Sequence, residues 1–304
     1  MPGISSPACR NAEREPGMRS SGLNPAVALW RALRVAEHLA AGAVVGLGVA
    51  LLRRLGLRCD WLPGLVCWWH RRLCRCLALR VEARGEPAHP ALLVANHVSW
   101  LDIPVLGALG EVGFLSKAEV RRWPLVGRMS LLAGTVFLRR GAHQTAAAGQ
   151  QLAAVVRSGR SMVMFPEGTT TDGRRLLPFH PRLFAAALVP GAPWVQPVAI
   201  RYGDDGAPDA VAPFVGDDNL LRHLLRVLRH PGLSVRVTWL APIDSAGRDR
   251  RGLAEAARDA IGAQLGLPPA GCQGPAPATI QAARPAQFGM MADALPSGRW
   301  RDAA

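Results

Sequence analysis

Three short clusters bring together side chains that can do chemistry. The first is Asn96-His97-Val98-Ser99-Trp100-Leu101-Asp102. Histidine is the side chain best suited to proton transfer near neutral pH, and a nearby carboxylate fixes its tautomer and stabilises the imidazolium. On one continuous helix, residues five apart differ by ~140° and do not meet. The pair therefore needs a turn. Pro104 fits the first turn of a helix, with Asp102 near its N-cap and His97 in the loop before it. Read without that pairing, Asp102 is a helix cap and His97 a loop histidine. The second cluster is Phe165-Pro166-Glu167-Gly168-Thr169. Its glycine lets the backbone come close to a ligand, and successive N–H groups there suit an anion or oxyanion. Glu167 either serves that ligand or is a solvated turn carboxylate. The third, Gly134-Thr135-Val136-Phe137-Leu138-Arg139-Arg140, ends an apolar strand in two arginines. Arginine suits bidentate phosphate contacts, the alternative being a basic strand end in water.

The elements that must position these clusters alternate. Short runs rich in Val, Leu and Ile predict strands at Ala91–Ala95, Val112–Leu115, Thr135–Leu138, Ser161–Phe165, Trp194–Ile200 and Ser234–Leu240. Helices are predicted at Ile103–Leu109, Thr145–Arg157, Arg182–Leu188, Asn219–His230 and Arg251–Gln264. This alternation predicts an α/β fold, a mainly parallel central sheet flanked by helices. In such a sheet the carboxyl ends of the strands bind ligands, which is where the His97 and Glu167 clusters fall. In Asn219–His230, Leu221, Leu224, Leu225 and Leu228 form one face and arginines the other, which suits core packing or a second membrane-surface contact.

Upstream, a helix is predicted from Asn24-Pro25, with an uncharged run of 14 residues from Leu39 to Leu52. That run is shorter than the ~20 residues of a spanning helix, so a re-entrant, interfacial or buried helix is expected. Gly42 and Gly46 give it a small-x-x-x-small spacing. A second apolar segment, Trp61 to Leu79, carries Trp61, Trp68 and Trp69. Seven arginines and one acid lie between Arg53 and Arg80. Interfacial tryptophan with arginine facing lipid phosphate predicts a membrane-associated helix pair. The expected organisation is a disordered leader over 1–24, a membrane-associated helical segment over 25–82, a catalytic domain over 83–266 and a disordered tail over 267–304.

Composition narrows the classes. The chain has 304 residues and a formal net charge of +14. Of its 36 basic residues only Lys117 is lysine. Lys117 follows Ser116, which excludes a P-loop. Six cysteines without a C-x-x-C pair argue against a zinc ribbon and for reduced thiols. The net charge is +7 over residues 1–90, +6 over 91–200 and +1 over 201–304. A basic field can meet nucleic acid, anionic lipid or an anionic small molecule. A nucleic-acid-binding protein is disfavoured by the absence of a base-reading motif and by a single tyrosine. A hydrolase using Ser99 as nucleophile is a further alternative, although no G-x-S-x-G motif is present.

Taken together and in this order, N-H-x-x-x-x-D, G-x-x-F-x-x-R, F-P-E-G-T and the later Val195-Gln196-Pro197-Val198 resemble the glycerophospholipid acyltransferase family. The resemblance covers about residues 85–240. It implies a membrane-bound enzyme on the cytoplasmic face of the inner membrane, moving a fatty acyl group from acyl-CoA or acyl carrier protein to a lysolipid hydroxyl. It implies His97 as general base, Asp102 as its orienting partner, and Lys117, Arg140, Glu167, Gly168 and Thr169 as substrate-binding residues. No metal, no cofactor and no nucleic-acid partner are implied. The first acceptor suggested is 1-acyl-sn-glycerol-3-phosphate, giving phosphatidate. Thr170 stands where the family often has arginine, and Phe179-His180-Pro181-Arg182 stands for a frequent Phe-Lys-x-Gly. Both changes resemble the lyso-ornithine lipid or lysophosphatidylcholine branches instead, with Arg174 or Arg175 able to replace the missing arginine.

Lys117, alone in a chain that otherwise uses arginine, is either a compact ammonium suited to the headgroup or an accident of codon usage. If the ammonium matters, Lys117→Arg raises the KM for the acceptor. An unchanged KM marks the residue as incidental.

Overall fold

The computed structural model describes residues 24–267 except 123–126, 128–129, 132–133, 139–141, 189–193 and 205–206. The expected leader up to residue 23, the tail from residue 268, Arg139 and Arg140 lie outside the described residues, as does the side chain of Lys117.

The chain opens with two helices, α1 (Pro25–Arg54) and α2 (Leu62–Cys76). Asn24 caps α1 by accepting from the Ala26 N–H, Pro25 occupies the first turn, and Arg53 and Arg54 complement the carbonyl end. At 30 residues α1 is ~45 Å long. It is long and apolar enough to cross a membrane, with an 18-residue stretch of mean hydropathy 1.8, only 22% of it buried. This exceeds the expectation drawn from the uncharged run, because that run is only the C-terminal half of a longer continuous helix. Val35, His38, Gly42 and Val49 are its buried positions. Where α1 packs on α2, the His38 ring stacks on Trp69 at 3.5 Å and Arg72 donates to both Glu37 carboxylate oxygens. Leu29, Trp30, Leu33, Val44 and Leu47 are exposed, as are Trp61 and Trp68. In α2, Cys67, Cys74 and Cys76 are buried free thiols.

The rest is built on one sheet. Its strands are β1 (Leu79–Arg84), β2 (Ala91–Ala95), β3 (Val112–Lys117), β4 (Val136–Leu138), β5 (Ser161–Met164), β6 (Trp194–Asp204), β7 (Ala207–Pro208) and β8 (Leu233–Trp239). They lie in the order β1-β8-β6-β2-β5-β3-β4, with β7 paired to β6. The block β6-β2-β5-β3-β4 is parallel throughout. β1 and β8 are parallel to each other, but β8 runs antiparallel to β6. The sheet thus takes up the chain from Leu79. The carboxyl ends of β2, β3, β4, β5 and β6 share one edge, and the ends of β1 and β8 share the opposite one.

Helices α3 (Asp102–Leu109), α4 (Ala142–Arg157), α5 (Leu220–Arg229) and α6 (Arg250–Leu265), with a 3₁₀ segment at Pro181–Ala187, complete the layers. Side chains of β2 alternate between two cores. Ala91, Leu93 and Ala95 pack with α2, α3 and α5, while Leu92 and Val94 pack with α4, α6 and the 3₁₀ segment. Coverage of both faces matches the near-continuous apolar strands of a parallel sheet. In α5 the buried residues are His223, Val227 and Leu228, while Leu221 and Leu225 are exposed. The expected leucine face is therefore divided: Leu224 and Leu228 pack on the core, Leu221 and Leu225 face outward, and His223 turns inward to two polar partners described below.

At the end of β2 the Asn96 side chain continues the ladder. Its amide donates to the Ile200 carbonyl at 3.0 Å and its oxygen accepts the Ile200 N–H at 2.8 Å, with the residue 1% exposed. Replacing it with alanine leaves two buried backbone groups without these partners. Asn96→Ala is expected to cost about 2 kcal/mol, read as a lowered denaturation midpoint in mild detergent.

Candidate active site

His97, the first residue past Asn96, enters a tight turn rather than a helix. The Asp102 N–H donates to the Ser99 carbonyl at 3.1 Å, and α3 begins there. That geometry swings the Asp102 carboxylate back over the turn. Its Oδ2 accepts from His97 Nδ1 at 2.8 Å, from the Val98 N–H at 2.8 Å and from the Ser99 N–H at 3.0 Å. Its Oδ1 accepts the Tyr202 hydroxyl at 2.8 Å. Asp102 is fully buried, so this set of donors is what makes its charge tolerable. A carboxylate only accepts, so Nδ1 carries the imidazole proton and Nε2 is left with a free lone pair. The His97 ring lies flat on Phe165, centroids 4.0 Å apart, and its side chain is 18% exposed. The arrangement can take a proton from a hydroxyl brought to Nε2.

The turn after β5 holds this loop from beneath. Glu167 Oε1 accepts the His97 N–H at 2.8 Å and Oε2 accepts the Leu177 N–H at 2.9 Å. The residue is 4% exposed. Sequence reasoning gave Glu167 to the acceptor; its carboxylate is instead occupied by two backbone donors, and it clamps the His97 turn to the 177 segment. Burial pushes it up to about 7, against the pull of those two N–H groups. Gly168 takes φ +70°, where a Cβ would come within 3.1 Å of His180 Nε2. Its own N–H donates to the Phe165 carbonyl, so that group serves the turn and not an anion. Thr169 follows on the same turn, half-buried. Further backbone bonds join the loops: Thr171 N–H to the His97 carbonyl at 2.8 Å and Phe214 N–H to the Val98 carbonyl at 3.0 Å. The Thr170 hydroxyl donates to the Phe214 carbonyl.

Two residues given no site role from the sequence complete the surroundings. Tyr202, on β6, supplies the fourth donor to Asp102; its being the single tyrosine of the chain was the available signal. His223, on α5, accepts from Trp100 Nε1 at 3.0 Å and, through Nε2, donates to the Pro213 carbonyl at 3.1 Å. Burial, aided by Arg226, keeps His223 below its ordinary range, consistent with this neutral tautomer. Ser99 is fully buried and its hydroxyl has no hydrogen-bond partner among the described residues, so it is not placed as a nucleophile. The backbone of Lys117 ends β3 at the same sheet edge as the other clusters, paired with Leu138. Arg140 lies outside the described residues.

Comparison with known proteins bears on the family and the fold. Residues 79–201 match the family model described as Acyltransferase. The chain is 50% identical over 228 residues to a lyso-ornithine lipid O-acyltransferase of Pseudomonas aeruginosa, covering 72% of this chain and 88% of that protein. It is 35% identical to a 1-acyl-sn-glycerol-3-phosphate acyltransferase of Neisseria meningitidis, over 59% of this chain and 71% of that one. The fold resembles the crystal structure of the 1-acyl-sn-glycerophosphate acyltransferase of Thermotoga maritima. There the TM-score is 0.58 at 20% identity, over 79% of this chain and 94% of that one.

The raised Glu167 group makes stability depend on pH. The folded state binds its proton more tightly than the unfolded chain, so its contribution is full below the unfolded value near 4.5 and is lost as pH rises through about 7. The full shift corresponds to up to about 3 kcal/mol. The melting temperature is expected to fall between pH 5 and pH 8 by more in the wild type than in Glu167→Gln, which cannot titrate.

Proposed function

The chain belongs to the acyltransferase family, and from that premise we propose that it moves a fatty acyl group from a thioester donor to the free hydroxyl of a lysolipid. The observation that carries this reading is the His97 Nε2 lone pair, left free by an Nδ1–H held on Asp102. His97 takes the proton of the acceptor hydroxyl as its oxygen attacks the thioester carbonyl. The tetrahedral intermediate then collapses, the carbon–sulfur bond breaks, and the imidazolium returns the proton to the leaving thiolate. The acceptor itself is the nucleophile, so no covalent acyl-enzyme is required.

Acyl-CoA and acyl carrier protein both supply such a thioester. For the acceptor, we favour lyso-ornithine lipid, in keeping with the relative that is 50% identical and with Thr170. The Thr170 hydroxyl is spent on the Phe214 carbonyl, in a position where an arginine would suit a phosphomonoester. Lysophosphatidate is the second reading, supported by the Neisseria relative. Lys117 and Arg140 are assigned to the headgroup, Gly168 and Thr169 to the wall beside it, and Glu167 to holding the His97 turn. The exposed Leu29, Trp30, Leu33 and Trp68, with the arginines near them, fit a membrane surface on the cytoplasmic side, where both substrates meet.

The test is purified protein with labelled palmitoyl-CoA and a panel of lysophosphatidate, lysophosphatidylcholine and lyso-ornithine lipid. Acylated ornithine lipid is the expected product, and labelled phosphatidate alone moves the protein to the second reading. His97→Ala is expected to lower turnover by ~10²–10⁴-fold with membrane pelleting intact; full activity in that variant overturns the assignment.

A further inference from the structure

Tyr202 is the one tyrosine in the chain, and it is 4% exposed. It belongs to β6, the strand beside β2, and its side chain shares the core with α2 and α3. Its hydroxyl donates to Asp102 Oδ1 at 2.8 Å, across 100 residues of sequence. The other carboxylate oxygen receives the imidazole and two backbone N–H groups of the same turn. A ring kept only for packing is served by phenylalanine; a buried phenol aimed at a buried carboxylate sets something electrostatic.

We propose that Tyr202 is a positioning residue of the His97–Asp102 pair: by holding Oδ1 it leaves Oδ2 to the imidazole and draws down the negative charge that His97 feels. The physical chain is short. A carboxylate with fewer donors concentrates more charge on Oδ2. That charge stabilises the imidazolium over the neutral ring, so the base is protonated, and idle, up to a higher pH. The phenol is well suited to this task, because burial and the Asp102 charge push it far above its ordinary range and it stays a donor. Among the described residues, the ionisable groups around the pair include Glu167, which accepts the His97 N–H, Arg258 of α6, whose charge acts on Glu167, and Cys74 of α2, whose thiol acts on Tyr202. The inference rests on His97 being the general base, and it is tested by a measurement that does not require turnover.

The full chain, with isotope-labelled histidine and held in detergent micelles, is titrated by nuclear magnetic resonance. The His97 signals are identified by their absence in His97→Gln. In Tyr202→Phe the His97 titration midpoint is expected to rise by about half a unit to one unit, the equivalent of one hydrogen bond. Because the chain has a single tyrosine, growth on difluorotyrosine alters this site alone. The more acidic phenol, a stronger donor, is expected to lower the midpoint without any mutation. In the acylation assay the acid limb of kcat moves with the midpoint, kcat falls severalfold in Tyr202→Phe, and KM for the acceptor is unchanged. A midpoint that stays in place in both proteins, or moves in the same direction in both, overturns the proposal. Absence of acyl transfer in the wild type speaks instead against the reaction assigned above.

Discussion

A buried carboxylate is the constraint around which this structure is arranged. Asp102 has no solvent exposure, and a charge in that position needs donors from the protein to replace lost water. Three of them come from the turn it closes: the His97 ring and the Val98 and Ser99 N–H groups. The fourth, Tyr202, comes from β6. The same contacts that satisfy the charge set the tautomer of His97, so the requirement of folding and the requirement of chemistry are met by one set of hydrogen bonds.

That turn is in turn fastened to its neighbours through backbone atoms. Glu167 links it to the 177 segment, Thr171 bonds the His97 carbonyl, and Phe214 bonds the Val98 carbonyl. Fastening by two backbone–backbone bonds and one buried carboxylate suits a site that must hold one imidazole nitrogen in place while substrates enter and leave. The parallel block of the sheet makes it possible, because the ends of β2, β5 and β6 arrive at a single edge.

The N-terminal helices are joined to this body and not merely strung ahead of it. The Arg31 guanidinium donates to the carbonyls of Leu228, His230 and Pro231 at the end of α5, where a cation also meets the negative end of the helix. From α5, His223 reaches Trp100 within the His97–Asp102 turn. A continuous set of contacts thus runs from the apolar helix α1 to the reacting group. These contacts tie the helices that carry the exposed tryptophans and leucines to the body that holds the site.

Much of this was legible in the residues. The His97–Asp102 turn is local: six residues, a following proline and short-range hydrogen bonds decide it, and the expectation of a turn followed by a helix agrees with the observed α3. The positions of β2, β3, β4, β5, β6 and β8 followed from apolar runs, because both faces of the sheet are covered. β1, with the charged and mostly exposed sequence Leu-Arg-Val-Glu-Ala-Arg, and the two-residue β7 carry no such run and were not foreseen. What the residues did not disclose depends on partners distant in sequence. The order of the strands, with β6 parallel beside β2, puts Tyr202 within reach of Asp102; nothing within either segment specifies that pairing. Glu167 looked like a ligand for substrate, and only its burial against two backbone N–H groups made it a clamp. The leucines of α5 suggested one buried face; Leu224 and Leu228 do pack on the core, but Leu221 and Leu225 face outward and His223 is buried on its two hydrogen bonds. Sequence by itself determined the chemistry on offer and the local turn that presents it. The tertiary structure decided which buried polar groups meet, because burial and its need for hydrogen-bond partners arise only when the sheet has assembled.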